Sequence, residues 1–359
     1  MTKPVSHKIS ELGEFGLISR IAAEVSPLEG VITGIGDDAA VTALTSGMQL
    51  LTSTDMLLED VHFCRSWHDP YRLGRKSLAV NISDIASMGG IPRWALLSLA
   101  IPVDLPLDFL DLFTAGFLSM ATEHGVSLVG GDTCSSGSGL VISVTIMGEQ
   151  FSEHILRRAG ARPGDEIWVT GTLGDAALGL KLLEGGFDSA QPPDTSLLAG
   201  NTQPSSCSLS GVEENDFLIA RLLDPTPRIS AGLALAMSGL VTAMIDVSDG
   251  ILSDFGHIAE MSGAGGTIQL EKLPLSDAFM AATRSSSPFP HHLVLSGGED
   301  YELCFTALPA YREKIAGIMK NCGVHAAPVG IVTSSKVVVV VNTDGSRYNV
   351  TNSGFNHFS

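Results

Sequence analysis

The chain has 359 residues, which corresponds to two domains at about 150 residues each. Its 39 acidic and 21 basic residues give a formal net charge of -18, which excludes the basic surface that binds nucleic acid or an anionic membrane. The five cysteines include no Cys-x-x-Cys pair, and no apolar stretch resembles a signal peptide or a transmembrane span. We therefore expect a cytoplasmic protein with reduced thiols.

Apolar runs of strand length alternate with helical patterns in the first half of the chain. The predicted elements are strands at Gln49–Thr54, Ala95–Ile101, Ser127–Val129 and Leu140–Met147, and helices at Pro70–Met88 and Leu107–His124. After a polar stretch the pattern restarts with a strand at Glu166–Thr170 and a helix at Asp175–Glu184. We place a domain boundary near residue 150, between an α/β domain at 1–150 and a second at 151–359.

The second half continues the same alternation. It predicts helices at Arg228–Ser238, Leu252–Met261 and Ala310–Cys322, and strands at Ala243–Val247, Thr267–Leu270, Leu303–Thr306 and Val337–Val341. The stretch 185–214 is rich in Ser, Pro, Gly and Asn and lacks periodicity, so we interpret it as a flexible insertion. The fold class is α/β with mixed sheets.

Acidic residues stand beside glycines at the ends of the predicted strands. The five places are Gly36–Asp38, Ser53–Asp55, Gly130–Asp132, Asp246–Gly250 and Gly297–Asp300. Strand ends are where open α/β sheets bind ligands. One Asp beside a Gly is most often a turn residue, and only the recurrence favours a site. Which acids share that site stays open.

The helix predicted at Pro70–Met88 is apolar over most of its circumference, yet Ser77, Asn81 and Asp84 form a polar stripe along it. A buried carboxylate needs a partner. The few basic residues cannot supply that many partners, whereas divalent cations can. Carboxylates and hydroxyls without His or Cys ligands favour Mg²⁺ over Zn²⁺, and Mg²⁺ commonly bridges carboxylates to phosphates. These residues therefore predict a phosphoryl-transfer site.

Other phosphate-binding motifs are absent from the sequence. It contains neither G-x-x-x-x-G-K-[ST] nor G-x-G-x-x-G. The segment Thr170–Asp175 could hold an anion at a helix N-terminus, but a structural strand-to-helix turn is the better interpretation. The adjacent His291 and His292 are interpreted as loop surface.

Seven strings together resemble the thiamine-monophosphate kinase family, whose superfamily includes aminoimidazole ribonucleotide synthetase and selenophosphate synthetase. They are GIGDDAAV, STDMLLEDVHF, LAVNISDIASMGG, GGDT, RAGARPGD, IDVSDGILSDFGHIA and LSGGEDYELCFT. The resemblance implies the two-domain aminoimidazole ribonucleotide synthetase-like architecture, usually a homodimer through the first domains. It also implies transfer of the ATP γ-phosphate to thiamine monophosphate, giving thiamine diphosphate.

The resemblance also implies roles for individual residues. The implied magnesium ligands are Asp38, Ser53, Thr54, Asp55, Asp84, Asp132, Asp246 and Asp249. The implied nucleotide-binding residues are Gly131, Asp132, Arg158 and Ser248, and the implied substrate contacts are His62 and Glu299. Near the C-terminus Asn352 stands where the family tends to carry an aromatic residue against thiamine. Either Phe355 or another aromatic stacks there instead, or the contact is lost.

The acceptor phosphate is already ionised, so the reaction needs no general base and we assign no catalytic acid or base. Two alternatives stay open. Another ATP-using enzyme of the superfamily is one, although Met1–Gly16 lacks the Cys and Gly-rich loop usual in selenophosphate synthetase. A non-catalytic protein that binds Mg²⁺ or nucleotide is the other.

Overall fold

The computed structural model describes residues 9–26, 28–185, 210–350 and 354. These residues form two compact units. Unit 1 contains the described residues up to Arg157 and, in addition, Thr226–Gly239; unit 2 contains Arg158–Pro225 and the described residues from Leu240 onward. The sequence prediction used a single boundary near residue 150 and did not include the return of Thr226–Gly239 to the first unit.

Unit 1 is built on a four-stranded mixed sheet. Its elements are α1 (Ile9–Glu24), β1 (Val31–Thr33), β2 (Val41–Thr42), β3 (Met48–Leu58), α2 (Pro70–Ser87), β4 (Ile91–Pro102), α3 (Leu107–Glu123), β5 (Ser127–Ser136), β6 (Val141–Phe151) and α6 (Ile229–Ser238). The sheet order is β3-β6-β4-β5, antiparallel except for the parallel pair β4 and β5, while β1 and β2 form a separate antiparallel ribbon.

Helices α2 and α3 cover one face of this sheet, which we call the inner face. Alternate residues of the strands, such as Leu51, Leu97 and Val144, join the core with apolar residues of both helices. The two helix backbones approach closely at two glycines. A Cβ on Gly74 would lie 2.0 Å from a carbonyl oxygen of α3, and one on Gly116 would lie 1.9 Å from a carbonyl oxygen of α2. Any side chain at either position would push the helices apart.

Unit 2 is built on a six-stranded sheet in the order β12-β9-β11-β7-β10-β8. Its strands are β7 (Glu166–Thr170), β8 (Val241–Val247), β9 (Gly265–Gln269), β10 (Glu302–Ala307), β11 (Ala326–Thr333) and β12 (Val338–Val341). Its helices are α4 (Asp175–Leu183), α5 (Ser210–Leu223), α7 (Ile251–Ser262), α8 (Asp277–Ala282), α9 (His291–Ser296) and α10 (Arg312–Asn321). Only β12 and β9 pair in parallel among these described strands.

The mixed α/β fold class predicted from the sequence is confirmed, and the predicted helices at α2, α3 and α4 and the strand β7 match closely. The sequence patterns missed α1, the β1–β2 ribbon, α5, α8, α9 and β11. Strand β11 was missed because Pro328 and Gly330 interrupt it, and the sheet register shifts between these two residues. Residues 186–209 of the predicted insertion lie outside the described residues, and 210–214, predicted as flexible, belong to helix α5. Among the described helices, none combines the length and the apolar character that crossing a membrane requires.

Candidate functional site

The polar stripe of α2 lies against strand β3. The Ser53 hydroxyl donates a hydrogen bond to Asp84 Oδ2 at 2.5 Å, and the Asp55 backbone N–H donates to Asn81 Oδ1 at 3.1 Å. Asn81 is buried and also donates through Nδ2 to the Ser77 carbonyl oxygen. Buried polar groups are normally satisfied in this way. The structure thus brings together three of the predicted magnesium ligands, Ser53, Asp55 and Asp84, around one strand and one helix.

Thr54 lies on the opposite face of the sheet. Strand residues alternate between faces, and in β3 the half-buried Ser53 and Asp55 flank an exposed Thr54. The Thr54 hydroxyl donates to the Val144 carbonyl oxygen at 3.0 Å and accepts from the Thr145 hydroxyl at 3.1 Å. The side chains of Ser53 and Thr54 therefore do not converge, and Thr54 could join an inner-face ion only through its backbone.

Asp132 also lies on the outer face, with its side chain exposed. Asp132 pairs with Ser98, which lies on the face opposite the buried Leu97 and Leu99. Asp55 lies on the same face as Leu97, because the paired residues that connect it across the sheet are Val144, Leu97 and Gly131. Three strand spacings separate the backbones of Asp55 and Asp132, roughly 14 Å in all. Within one chain the structure therefore places these two carboxylates on opposite faces of the sheet.

Gly131, the second glycine before Asp132, has no room for a side chain. A Cβ at this position would lie 1.7 Å from the carbonyl oxygen of Leu97 on the paired strand. Its φ of 157° occurs just after a register shift between β4 and β5. Only glycine allows β5 to approach β4 this closely, so the motif sets the position at which Asp132 emerges from the sheet.

In unit 2 the acids of the IDVSDGILSD string gather where β8 leads into α7. Asp254, in the first turn of α7, is buried and accepts a hydrogen bond from the Asp249 backbone N–H at 3.1 Å. Burial, followed by the charges of Asp246 and Asp249, raises the pKa of Asp254 to about 8. Asp254 was not among the predicted site residues, although its position in the same string could have indicated it.

Glu299 lies beside this segment. Its backbone N–H donates to the Ser248 carbonyl oxygen at 2.8 Å, and the Tyr301 N–H donates to the Val247 carbonyl oxygen at 2.8 Å. A Cβ on Gly298 would lie 2.4 Å from the Ser248 carbonyl oxygen, so a side chain there would break this contact. The structure thus places the predicted substrate residue Glu299 next to the predicted nucleotide residue Ser248.

His62 lies in the loop that follows β3. Its Nδ1 accepts a hydrogen bond from the Leu58 backbone N–H at 3.0 Å, so the ring proton is on Nε2. Glu59 holds the same loop in place, because its carboxylate accepts hydrogen bonds from Arg65 Nε at 2.5 Å and from the Leu140 backbone N–H at 2.7 Å. Glu59 was not predicted as a site residue, and its role is to fix the loop that carries His62.

Two further predicted residues, Asp38 and Arg158, lie in exposed turns. Asp38 lies between β1 and β2, and its backbone N–H donates to the Asp37 carboxylate at 2.8 Å. Arg158 is exposed in a loop of unit 2 whose Gly160 and Ala161 N–H groups both donate to the Ser262 hydroxyl. The thiamine-facing positions predicted at Asn352 and Phe355 lie outside the described residues.

The donors gathered on β3 and α2, and those between β8 and α7, are all oxygen atoms, which fits a hard cation such as Mg²⁺. Over the part of the chain that the structure describes, no three His, Cys, Asp or Glu residues form a group that could hold a metal ion. The acids are therefore distributed in smaller sets: Asp55 and Asp84 in unit 1, and Asp246 and Asp249 in unit 2.

Comparison with known families accounts for both halves of the chain. Residues 36–150 match the N-terminal domain of AIR synthase related proteins, and residues 162–342 match their C-terminal domain. The first match begins within the string GIGDDAAV and the second within RAGARPGD.

Comparison with individual proteins gives matches over almost the whole length. The chain is 36% identical to a thiamine-monophosphate kinase of Salmonella typhimurium over 349 residues, covering 97% of this chain and 98% of that protein. It superimposes on a crystal structure of a thiamine-monophosphate kinase from Stenotrophomonas maltophilia with a TM-score of 0.77 at 35% identity, covering 94% and 98% of the two chains. It also superimposes on AaThiL complexed with AMPPCP and TMP, with a TM-score of 0.71 at 32% identity and coverage of 99% and 100%.

Proposed function

Because the chain belongs to the thiamine-monophosphate kinase family, we propose that it transfers the γ-phosphate of ATP to thiamine monophosphate, giving ADP and thiamine diphosphate. The observation that carries this proposal is the match over 97% of the chain to a kinase of that name. A relative of the same fold that holds AMPPCP, an ATP analogue, together with TMP supports the pairing of the two substrates. The reaction is the final step in making thiamine diphosphate.

Magnesium is the proposed metal. In unit 1 it would be held by Asp55 and by Asp84, whose carboxylate the Ser53 hydroxyl already orients. In unit 2 it would be held by Asp246 and Asp249. The further proposed ligands are Asp38, Ser53, Thr54 and Asp132. When bound, the ions supply positive charge that offsets the negative charge of the phosphates.

The chain's own residues then bind and orient the substrates. Gly131, Asp132, Arg158 and Ser248 are the proposed nucleotide contacts, and His62 and Glu299 are the proposed contacts of thiamine monophosphate. The attacking group is an ionised phosphate oxygen, so the site needs no residue that removes a proton. Alignment of the two phosphates is the main task left to the protein.

A homodimer is the proposed assembly, with the outer face of the unit 1 sheet as its interface. Helices α2 and α3 cover the inner face of this sheet, whereas the outer face exposes Leu50 at 49% and Met56 at 54%. Both residues lie on β3, which is an edge strand among the described strands of this sheet. A second copy of the chain would cover both the apolar side chains and the edge.

We also place the protein in the cytoplasm, where ATP is made and thiols stay reduced. Four of its cysteines are free thiols in the described residues, namely Cys64, Cys134, Cys304 and Cys322.

The activity is tested by incubating the full-length protein with ATP, Mg²⁺ and thiamine monophosphate, with free thiamine as the control acceptor. ADP and thiamine diphosphate should appear in equal amounts with the first acceptor, and both should disappear with EDTA and return with excess Mg²⁺. ATP binding without thiamine diphosphate would refute the proposed function.

The metal assignment is tested by Asp55→Asn and Asp132→Asn. Each should lower turnover by at least about a hundredfold in a folded protein. Asp104→Asn, an exposed aspartate in the turn after β4, is the matched control and should keep its activity. Near-normal turnover by either site variant would remove that residue from the metal site.

The assembly is tested by Leu50→Glu. Sedimentation should give twice the chain mass of 37.6 kDa for the wild type and the single mass for the variant. Leu112→Glu, at a similarly exposed leucine on α3, is the control and should stay dimeric. A monomeric wild type would refute the dimer.

A further inference from the structure

The loop that carries Glu299 has an unusual backbone. Glu299 has φ 72° and Tyr301 has φ 49°, and Asp60 is the one other non-glycine residue with positive φ among those described. Side chains other than glycine disfavour this left-handed region. A backbone in this state persists only where its surroundings hold it firmly. Asp300 lies between Glu299 and Tyr301, so contacts that hold Asp300 also hold the backbone on both sides of it.

Asp300 is anchored through both its side chain and its backbone. The Gly174 N–H donates to Asp300 Oδ2 at 2.8 Å, and Arg221 Nη2 donates to the Asp300 carbonyl oxygen at 3.0 Å. The same Arg221 nitrogen donates to Glu302 Oε1 at 2.9 Å. Glu302 in turn accepts a hydrogen bond from the Thr170 hydroxyl at 2.8 Å. Two different elements, the β7–α4 turn and helix α5, thus fix one residue of the loop.

This anchor is buried. Asp300 is 1% exposed, Glu302 is fully buried, and the Arg221 side chain is 11% exposed. Burial is the main cause that raises the pKa of Asp300 well above its usual value. Among the described residues its Oδ1 has no hydrogen-bond partner, which costs less for a neutral carboxyl group than for a charged one. A hydrogen bond in such an environment is not replaced by water when it is removed.

We propose that Asp300, held by Gly174 and Arg221, is a positioning residue that sets the direction of the Glu299 side chain toward thiamine monophosphate. The inference rests on the proposed function, in which Glu299 contacts that substrate. Asp300 itself is buried, so its side chain is not presented to a substrate. It acts by holding the left-handed backbone on both sides of it, without which Glu299 would relax toward ordinary φ values and its carboxylate would move.

The test is the steady-state kinetics of Asp300→Ala, with KM measured separately for each substrate. We expect the KM for thiamine monophosphate to rise about tenfold, while the KM for ATP changes by less than about twofold. Asp300→Asn keeps a carbonyl oxygen for the Gly174 N–H and should restore the wild-type KM. Circular dichroism of both variants verifies that they are folded.

A double-mutant cycle separates positioning from a general structural effect. If Asp300 acts through Glu299, the KM effect of Asp300→Ala should shrink below about twofold in a Glu299→Ala background. A KM effect that persists in full in that background would overturn the inference, as would an unchanged KM in folded Asp300→Ala.

Arg312→Met supplies the control for Arg221→Met. Arg312 also pairs with a carboxylate of the unit 2 sheet, Glu166. We expect Arg221→Met to raise the KM for thiamine monophosphate and Arg312→Met to leave it unchanged; equal effects would overturn the inference. A wild-type protein without turnover would refute the proposed function and this inference with it, whereas an active wild type beside an unaffected Asp300→Ala refutes the inference alone.

Discussion

His68 makes unit 1 sensitive to mild acid. Its side chain is 3% exposed and lies edge-on to the Phe63 ring. Burial, followed by the nearby charge of Lys76, lowers the pKa of His68 from 6.5 to about 3. The folded protein therefore keeps this imidazole neutral at pH values where the unfolded chain takes up a proton.

The sign and size of the effect follow from linkage. A base whose pKa falls on folding stabilises the native state fully above its unfolded pKa, and that stability is lost as the pH falls below 6.5 toward 3. Between about pH 7.5 and pH 5 the loss is about 2 kcal/mol, and it reaches about 5 kcal/mol once the folded form is protonated too. The perturbation that isolates it is His68→Phe, which keeps a planar ring beside Phe63 and cannot titrate.

The assay is urea unfolding of unit 1 followed by tryptophan fluorescence. A Trp168→Phe background removes the tryptophan of unit 2 and leaves Trp67 and Trp94 as reporters. Carboxylates titrate in both proteins and cancel in the comparison. Between the two pH values, the protein with His68 should lose about 2 kcal/mol more unfolding free energy than His68→Phe. Equal losses would refute the buried neutral imidazole.

Three further substitutions have expected outcomes. Gly131→Ala should reduce turnover in a kinase assay by more than about tenfold, because its Cβ would lie 1.7 Å from a β4 carbonyl oxygen and displace Asp132. Full activity would contradict this close approach. Arg221→Met should lower the unfolding free energy of unit 2 by about 3–5 kcal/mol, since the buried Glu302 loses its cation, and urea unfolding followed by Trp168 measures it. Gly74→Ala should lower the melting temperature by several degrees at least, because the α2–α3 contact has no room for a methyl group. An unchanged midpoint in a thermal unfolding scan would refute this expectation.

Much of the inner-face site could be predicted from the sequence. The spacing of Ser77, Asn81 and Asp84 in an apolar helix predicted a polar stripe with partners, and the structure supplies Ser53 and the Asp55 backbone as those partners. This prediction needed only the helical period, which is a local property of the chain. The same reasoning correctly gave the bounds of α2 to within one residue of its end.

The register of the strands, and therefore the face on which each strand residue lies, could not be predicted from the sequence. Thr54 and Asp132 stand in motifs beside Asp55 and Gly131, yet the structure turns both toward the outer face. Which face a strand residue occupies changes with a shift of one residue, and the register between β4 and β5 depends on an irregularity near Leu96. The left-handed backbone at Glu299 was equally hidden, because nothing in Gly-Gly-Glu-Asp-Tyr requires a non-glycine residue to adopt it.

The charge imbalance is weaker evidence for metal than the sequence alone suggested. Buried acids were expected to need divalent cations, since basic residues are few. The structure shows another solution for the buried acids: backbone N–H groups donate to Asp254 and Asp300, and the hydroxyls of Thr172 and Ser276 donate to Asp175. Such donors satisfy a carboxylate without any cation. The magnesium proposal therefore depends on the acids that are not buried, such as Asp55, Asp84, Asp132 and Asp249, whose carboxylates remain accessible to a cation and to the phosphates it accompanies. The comparison of Asp55→Asn with Asp104→Asn is for this reason more informative about the metal than any count of acids.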